Sequence, residues 1–178
     1  EHIQLIVKAA AGEYTVSRRM MLDIELERGG EIIYRDKALN DVVLHGYGDC
    51  IRLTAWCAGD RITSFSGDGI ILSTPTGSTG YSMSAGGPIV EPEASAIIVS
   101  PICAHMMSAR SYVLSASHDV SVLAEKLHGR RAYISVDGNS VMDLANGDLL
   151  RVRRSERCIL MADMGLKSFF DLTFEKLT

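Results

Sequence analysis

From Leu22 to Glu27 the chain alternates, residue by residue, between an aliphatic side chain and a carboxylate: Leu22-Asp23-Ile24-Glu25-Leu26-Glu27. A period of two buries one face only if the backbone is extended, so this stretch predicts a strand lying on a core. Arg28-Gly29-Gly30-Glu31 then reads as a tight turn, and Ile32-Ile33-Tyr34 as the returning arm of a hairpin. The same grammar recurs. Val42-Val43-Leu44 is a short strand. Ile51 to Cys57 alternates and turns at Ala58-Gly59-Asp60 into Arg61 to Phe65. Ala96 to Val99, Tyr112 to Leu114, Val120 to Leu123, Ala132 to Val136 and Leu149 to Arg153 follow, with Asp137-Gly138 and Ala145-Asn146-Gly147-Asp148 as turns among them. Helical spacing is clear only at the start, where Ile3, Ile6, Val7 and Ala10 share a face and Gly12 can end the run. The expected fold class is mostly β: an antiparallel, multi-stranded, sandwich-like domain with an N-terminal helix. No repeat or Pro-rich linker divides residues 1–178, so one domain is expected.

Composition bounds the function classes. With 178 residues the chain should bury roughly 70% of the surface it exposes when unfolded. An apolar fraction of 47% and a charged fraction of 22% exclude global disorder. The formal charge of -4 disfavours generic binding to nucleic acid. No apolar run is long enough for a membrane helix, and Glu1-His2-Ile3-Gln4 does not read as a signal peptide. Cys50, Cys57, Cys103 and Cys158 form no C-x-x-C pair, and are expected as buried, reduced thiols in a cytoplasmic protein.

One stretch breaks the β pattern. After Gly67-Asp68-Gly69 a buried strand, Ile70 to Leu72, runs into Ser73-Thr74-Pro75-Thr76-Gly77-Ser78-Thr79-Gly80-Tyr81-Ser82-Met83-Ser84, and Gly86-Gly87-Pro88 stops it. Pro75 presets one turn dihedral and Gly77 permits a positive φ. Ser78 or Thr79 can cap a short helix through Ser84. Thr74, Thr76, Ser78, Thr79, Ser82 and Ser84 present hydroxyls without charge, which suits a neutral polar ligand such as a base, a ribose or a carboxamide. The loop is neither a phosphate-binding P-loop nor a G-x-S-x-G elbow. Taken alone, its residues fit a hydroxyl-rich turn at a sheet edge equally well.

Other candidates are weaker singly. The Asn40 amide can offer a donor and an acceptor to an adenine edge, and the Asp41 carboxylate can accept from ribose hydroxyls. The pair also suits a plain strand-entry turn. Asp68, between two glycines, fits a ligand carboxylate or a tight turn. His105 is expected to be structural, Arg151, Arg153 and Arg154 to decorate an exposed strand face, and Trp56 and Phe65 to serve a core or interface.

The run Asp68 to Pro88 closely resembles the signature of the NAD kinase family. The resemblance covers essentially the whole chain. It includes Ala38-Leu39-Asn40-Asp41-Val42-Val43, Ser100 to His105, Ser108-Ala109-Arg110, Val136-Asp137-Gly138-Asn139 and the tail from Phe169 to Leu177. It implies transfer of the terminal phosphoryl group of ATP to the 2'-hydroxyl of the adenosine ribose of NAD, giving NADP. It also implies two domains. An N-terminal α/β domain carries a Gly-Gly-Asp-Gly turn with the proposed base, and a β-rich C-terminal domain builds most of the NAD site. Gly-Gly-Asp-Gly does not occur here, so residues 1–178 are expected to be the C-terminal domain alone, without a catalytic residue of their own.

By the same resemblance, Asn40 reads the adenine edge, Asp41 holds the ribose, and Thr76 and Thr79 contact the adenine side. Tyr81 packs on the ligand, and Ser84 and Asp68 hold the nicotinamide end. Gly80, Ser82, Met83 and Asn139 complete the NAD-binding set. A divalent metal (Mg) is expected for the full enzyme. A homo-oligomer, dimer or tetramer, is expected too, with the site completed by a neighbouring subunit. The sequence departs from the family at Gly80, where Ala is usual, at Ser66, where a basic residue is frequent, and at Tyr47-Gly48-Asp49. Two alternatives stand beside this: a non-catalytic dinucleotide-binding and oligomerisation module, and a lipid-kinase-like domain of the same superfamily.

Overall fold

A computed structural model describes residues 2–104 and 109–177. Among these residues twelve strands form two six-stranded antiparallel sheets. The first runs β2 (Glu31–Ala38), β1 (Thr15–Arg28), β12 (Leu149–Asp163), β9 (Val120–Glu125), β4 (Ile51–Cys57), β5 (Asp60–Gly67). The second runs β11 (Asn139–Asp143), β10 (Ala132–Val136), β3 (Asp41–Gly46), β6 (Gly69–Ser73), β7 (Ala96–Ile102), β8 (Tyr112–Ser115). The expected mostly-β sandwich is the observed one.

The period-two stretch behaves as its chemistry demands. Met20, Leu22, Ile24 and Leu26 of β1 are buried, while Asp23, Glu25 and Glu27 are only partly covered. These apolar residues meet Val42 and Leu44 of β3, Ile70 and Leu72 of β6, Ile134 of β10 and Phe65 of β5 in one core between the sheets. On β3 the intervening Val43 points the other way. With Ile71 and Ile102 it forms a second, small cluster on the outer face of the second sheet, covered by Ala85. That cluster seats the short helix α2 (Tyr81–Ser84) on the sheet.

Helix α1 (His2–Ala10) is where its spacing puts it, with Ile3, Ile6 and Val7 exposed. Three features were not anticipated. Strand β12 continues past Arg153 to Asp163, pairing Cys158 to Asp163 with Thr15 to Met20 of β1. Strand β11 returns from the Asp137-Gly138 turn. The tail forms helix α3 (Phe169–Leu177). Arg151, Arg153 and Arg154 are exposed, as expected, and Phe65 is fully buried, with Trp56 half-buried. The cysteines correct the expectation of burial: all four are free thiols, but only Cys57 is buried, while Cys103 and Cys158 are exposed and Cys50 is intermediate. Cys103 sits in a chain reversal at φ 43, and Cys158 on the stretch of β12 that projects beyond the core. His105 lies outside the described residues.

Candidate functional site

The break in the β pattern becomes a 3-10 turn (Thr76–Thr79) followed by α2. Pro75, at φ -57 and ψ -34, starts the turn. Thr74 ties this loop to the entry of β3. Its N–H donates to the Asn40 carbonyl at 2.8 Å. Its hydroxyl donates to the Leu39 carbonyl at 2.6 Å and accepts the Gly77 N–H at 3.1 Å. Gly77 serves differently from the expectation: it is not in the left-handed region, and its value is space, since a Cβ there would lie 2.2 Å from the Asn40 carbonyl oxygen. Neither Ser78 nor Thr79 caps a helix. The buried Ser78 hydroxyl donates to the Pro75 carbonyl at 2.7 Å and receives the Val90 N–H at 3.0 Å, so a local backbone partner outcompetes capping.

Beside this loop, on the outer face of the second sheet, lies a crevice of about 480 Å³. Its floor is β3 and β10: Asp41, Val43 and His45 at alternate positions, with Tyr133 and Ser135 directly opposite His45 and Val43. Asn40, Thr76, Thr79, Gly80 and Tyr81 form one wall; Asp137, Gly138 and Ser140 form the other. No Lys or Arg lines it. Such a volume suits a small-molecule ligand, and the lining suits its uncharged polar parts.

Six expected residues, Asn40, Asp41, Thr76, Thr79, Gly80 and Tyr81, therefore meet on one crevice. The other five stand elsewhere. Ser82 is fully buried, with its hydroxyl 3.0 Å from that of Ser100. Met83 lines a neighbouring recess with Phe169, Leu172 and Lys176 of the tail helix and its flank. Ser84 is exposed away from the lining. Asp68 is exposed near Cys103. Asn139 is exposed between Gly138 and Ser140. Sequence reasoning missed Val43, His45, Tyr133, Ser135 and Ser140, and it took Asn139 rather than Asp137 and Gly138 from the β10–β11 turn as the site residue. The alternation of 41, 43, 45 on β3 and of 133, 135 on β10 carries their signal, but only once the two strands are known to pair.

The lining has a distinct electrostatic character. Asp41 is 8% exposed. Burial first, then the nearby Asp137 carboxylate, push its carboxyl up to about 6. Burial holds the His45 imidazole below its ordinary range, against the pull of Asp68. The His45 ring stacks between Tyr81, at 5.4 Å, and Tyr133, at 5.1 Å. Tyr47 continues the row at 4.5 Å, capped by the Arg131 guanidinium at 4.5 Å. Among the described residues no group of three or more His, Cys, Asp or Glu converges as a metal site, so the expected magnesium finds no ligand set in these residues. No helix among the described residues is long and apolar enough to cross a membrane.

Comparison with known proteins follows the geometry. Residues 17–163 match the family model described as ATP-NAD kinase C-terminal domain. Among curated proteins, the NAD kinase of Geobacter metallireducens is 38% identical over 169 residues, covering 93% of this chain and 59% of the relative. That of Acetivibrio thermocellus is 38% identical over 162 residues, covering 90% and 56%. The chain thus spans a little over half the length of the curated relatives it matches. Among solved structures, yeast NADH kinase complexed with NADH superposes with a TM-score of 0.90 at 29% identity, covering 99% of this chain and 52% of that one. An NAD kinase from Archaeoglobus fulgidus in complex with ATP gives 0.75 at 26% identity, covering 98% and 65%.

Proposed function

The chain belongs to the ATP-NAD kinase C-terminal domain family, and we propose from that premise that it is the dinucleotide-holding part of an NAD kinase. In the proposed reaction the 2'-oxygen of the adenosine ribose of NAD attacks the terminal phosphorus of ATP. The bond to the ADP oxygen breaks, the hydroxyl proton passes to a base, and NADP and ADP leave. That chemistry depends on positioning more than on covalent participation by the protein.

The observation carrying the proposal is the convergence of Asn40, Asp41, Thr76, Thr79, Gly80 and Tyr81 on one crevice without a cation. In the proposed pose the Asn40 amide meets the adenine edge with a donor and an acceptor at once. The Asp41 carboxylate, ionised above about pH 6, accepts from ribose hydroxyls. Tyr81, stacked on His45, gives the ligand a flat surface. The phosphates find no Lys or Arg among the lining residues, so they face outward. The base and the Gly-Gly-Asp-Gly turn are assigned to an N-terminal domain outside residues 1–178, and no step above depends on a metal.

Asp68 and Ser84 lie off the lining, which fits a nicotinamide end reaching past the rim toward a neighbouring subunit of a homo-oligomer. The free thiols suit a cytoplasmic protein.

Titration of the chain with NAD, NADH, NADP and a lipid headgroup tests the proposal. Pyridine dinucleotides should bind and the headgroup should not. Asn40→Ala and Tyr81→Ala should each weaken dinucleotide binding at least several-fold while the chain stays folded. Unchanged affinity in both variants would refute the site.

A further inference from the structure

The turn that carries Asn40 and Asp41 is held from across the crevice by one carboxylate. One Asp137 oxygen accepts the backbone N–H of Asn40 at 2.7 Å and of Asp41 at 3.0 Å, and the other accepts that of Leu39 at 2.8 Å. In return the Asp137 N–H donates to the Asp41 carbonyl at 3.0 Å. Three consecutive amides on one anion form a strong, geometrically specific grip, because each bond is charge-assisted. Asp137 adopts φ 45, a conformation few non-glycine residues hold, and Gly138 follows it at φ 81. The reversal is what brings this carboxylate to the amides of 39–41. On the far side, Thr74 holds the same segment by the Asn40 and Leu39 carbonyls. The segment 39–41 is thus gripped by its three amides from Asp137 and, at Leu39 and Asn40, by the carbonyls from Thr74.

We propose that Asp137 is the positioning residue of this site, its carboxylate fixing the turn that aims Asn40 and Asp41 into the crevice. The role rests on the dinucleotide site proposed above, but the grip itself is a property of the free chain. It has an electrostatic consequence. The charged group that acts on the Asp41 carboxyl is Asp137 from the β10–β11 turn. Tyr81 from α2, which Asp41 itself pushes up, and His45 and Tyr133 along the floor are the other titratable groups of the lining, and Ser73 pairs with Asp41 from β6. No cation lines the space between them. Asp137 therefore both aims Asp41 and resists its ionisation.

The test uses Asp137→Asn and Asp41→Asn in the 178-residue chain, with NAD as probe, because the 2'-phosphate of NADP would itself titrate at about pH 6. The wild-type affinity should vary with pH around an inflection near 6, which Asp41→Asn should abolish. In Asp137→Asn, affinity at pH 8 should fall at least tenfold, and the inflection should move to lower pH. In the free protein, amide hydrogen exchange at residues 39–41 should speed up, while the core strands stay protected. Unchanged affinity and exchange in Asp137→Asn, or an inflection that survives Asp41→Asn, would overturn the assignment. So would global unfolding of Asp137→Asn, because Asp137 would then serve the fold and not the site. A wild-type chain that binds no dinucleotide overturns the functional proposal, and the exchange of the 39–41 amides then judges the grip by itself.

Discussion

Adding one methyl group at Gly77 should damage both the fold and the site. A Cβ there would lie 2.2 Å from the Asn40 carbonyl oxygen, 2.6 Å from its carbon and 2.8 Å from the Asn40 Cα. All three are backbone atoms of the segment entering β3, which Thr74 and Asp137 pin on either side. No rotamer change relieves the overlap, so the 3-10 turn must retreat by roughly 1 Å to restore ordinary contact. That retreat strains the Thr74 bonds to Asn40 and Leu39 and the Gly77 bond to Thr74. Overpacking typically costs about 1–3 kcal/mol, and the strained bonds add to it, so about 3 kcal/mol is expected for Gly77→Ala. In a chain of this size that lowers Tm by roughly 6–12 °C. Thr76 and Thr79 leave their wall positions with the turn, so dinucleotide affinity should drop at least about tenfold. Urea unfolding followed by circular dichroism gives the first quantity, and calorimetric titration with NADP the second. Gly80→Ala is the internal control. Its Cβ would meet only the Gly77 carbonyl oxygen, at 3.3 Å, so stability should change by less than about 1 kcal/mol. If Gly77→Ala kept wild-type stability and affinity, or matched Gly80→Ala, the account of the loop as a close-packed latch on Asn40 would be wrong.

Three further outcomes are expected. Because the Asp41 carboxyl is raised from 3.8 to about 6, the folded chain takes up a proton between those values, and wild-type stability falls as pH rises through that window. The stability of Asp41→Asn minus that of wild type should therefore increase by about 2 kcal/mol between pH 4 and 7, and a difference independent of pH would refute the linkage. Asp148 is fully buried and takes two bonds from the Arg28 guanidinium at 2.8 Å. Since Arg28 is partly exposed, Arg28→Ala should cost about 2–3 kcal/mol in urea unfolding, less than a fully buried pair. Tyr133→Ala removes one of the two rings stacked on His45 and the ring beside Tyr47, and should weaken NADP binding several-fold with little change in Tm; unchanged affinity would exclude the ring row from the site.

What the sequence makes legible is local. Leu22 to Glu27 declares its face because a strand's period is fixed by covalent geometry. The Thr74 to Ser84 stretch declares itself irregular because Gly, Pro and hydroxyl residues cannot sustain either regular structure. The direction of each hydroxyl is not local. Thr76 and Thr79 line the crevice, the Thr76 hydroxyl being nonetheless buried, while Ser78 and Ser82 turn inward, where their partners are Val90 and Ser100. The crevice floor was illegible for the same reason. Tyr133 and His45 are brought face to face only by the β10–β3 register, and the grip of Asp137 on Leu39, Asn40 and Asp41 closes across about a hundred residues of chain. The exposure of Cys103 and Cys158 follows from where a turn and a projecting strand end fall, which their own chemistry does not encode.

The row of rings beside the crevice gives this molecule two separate optical reporters. Its single indole, Trp56, stands on the opposite sheet, pointing away from the core that separates it from the crevice. Three of its six phenols, at positions 47, 81 and 133, sit in the row with His45. Emission excited in the indole band will therefore follow collapse of the sandwich and ignore an occupant of the crevice. The phenol absorption edge will respond both to an occupant and to unfolding, since Tyr34 and Tyr112 pack on the core, so an absorption change without an emission change reports occupancy in one cuvette without any attached dye.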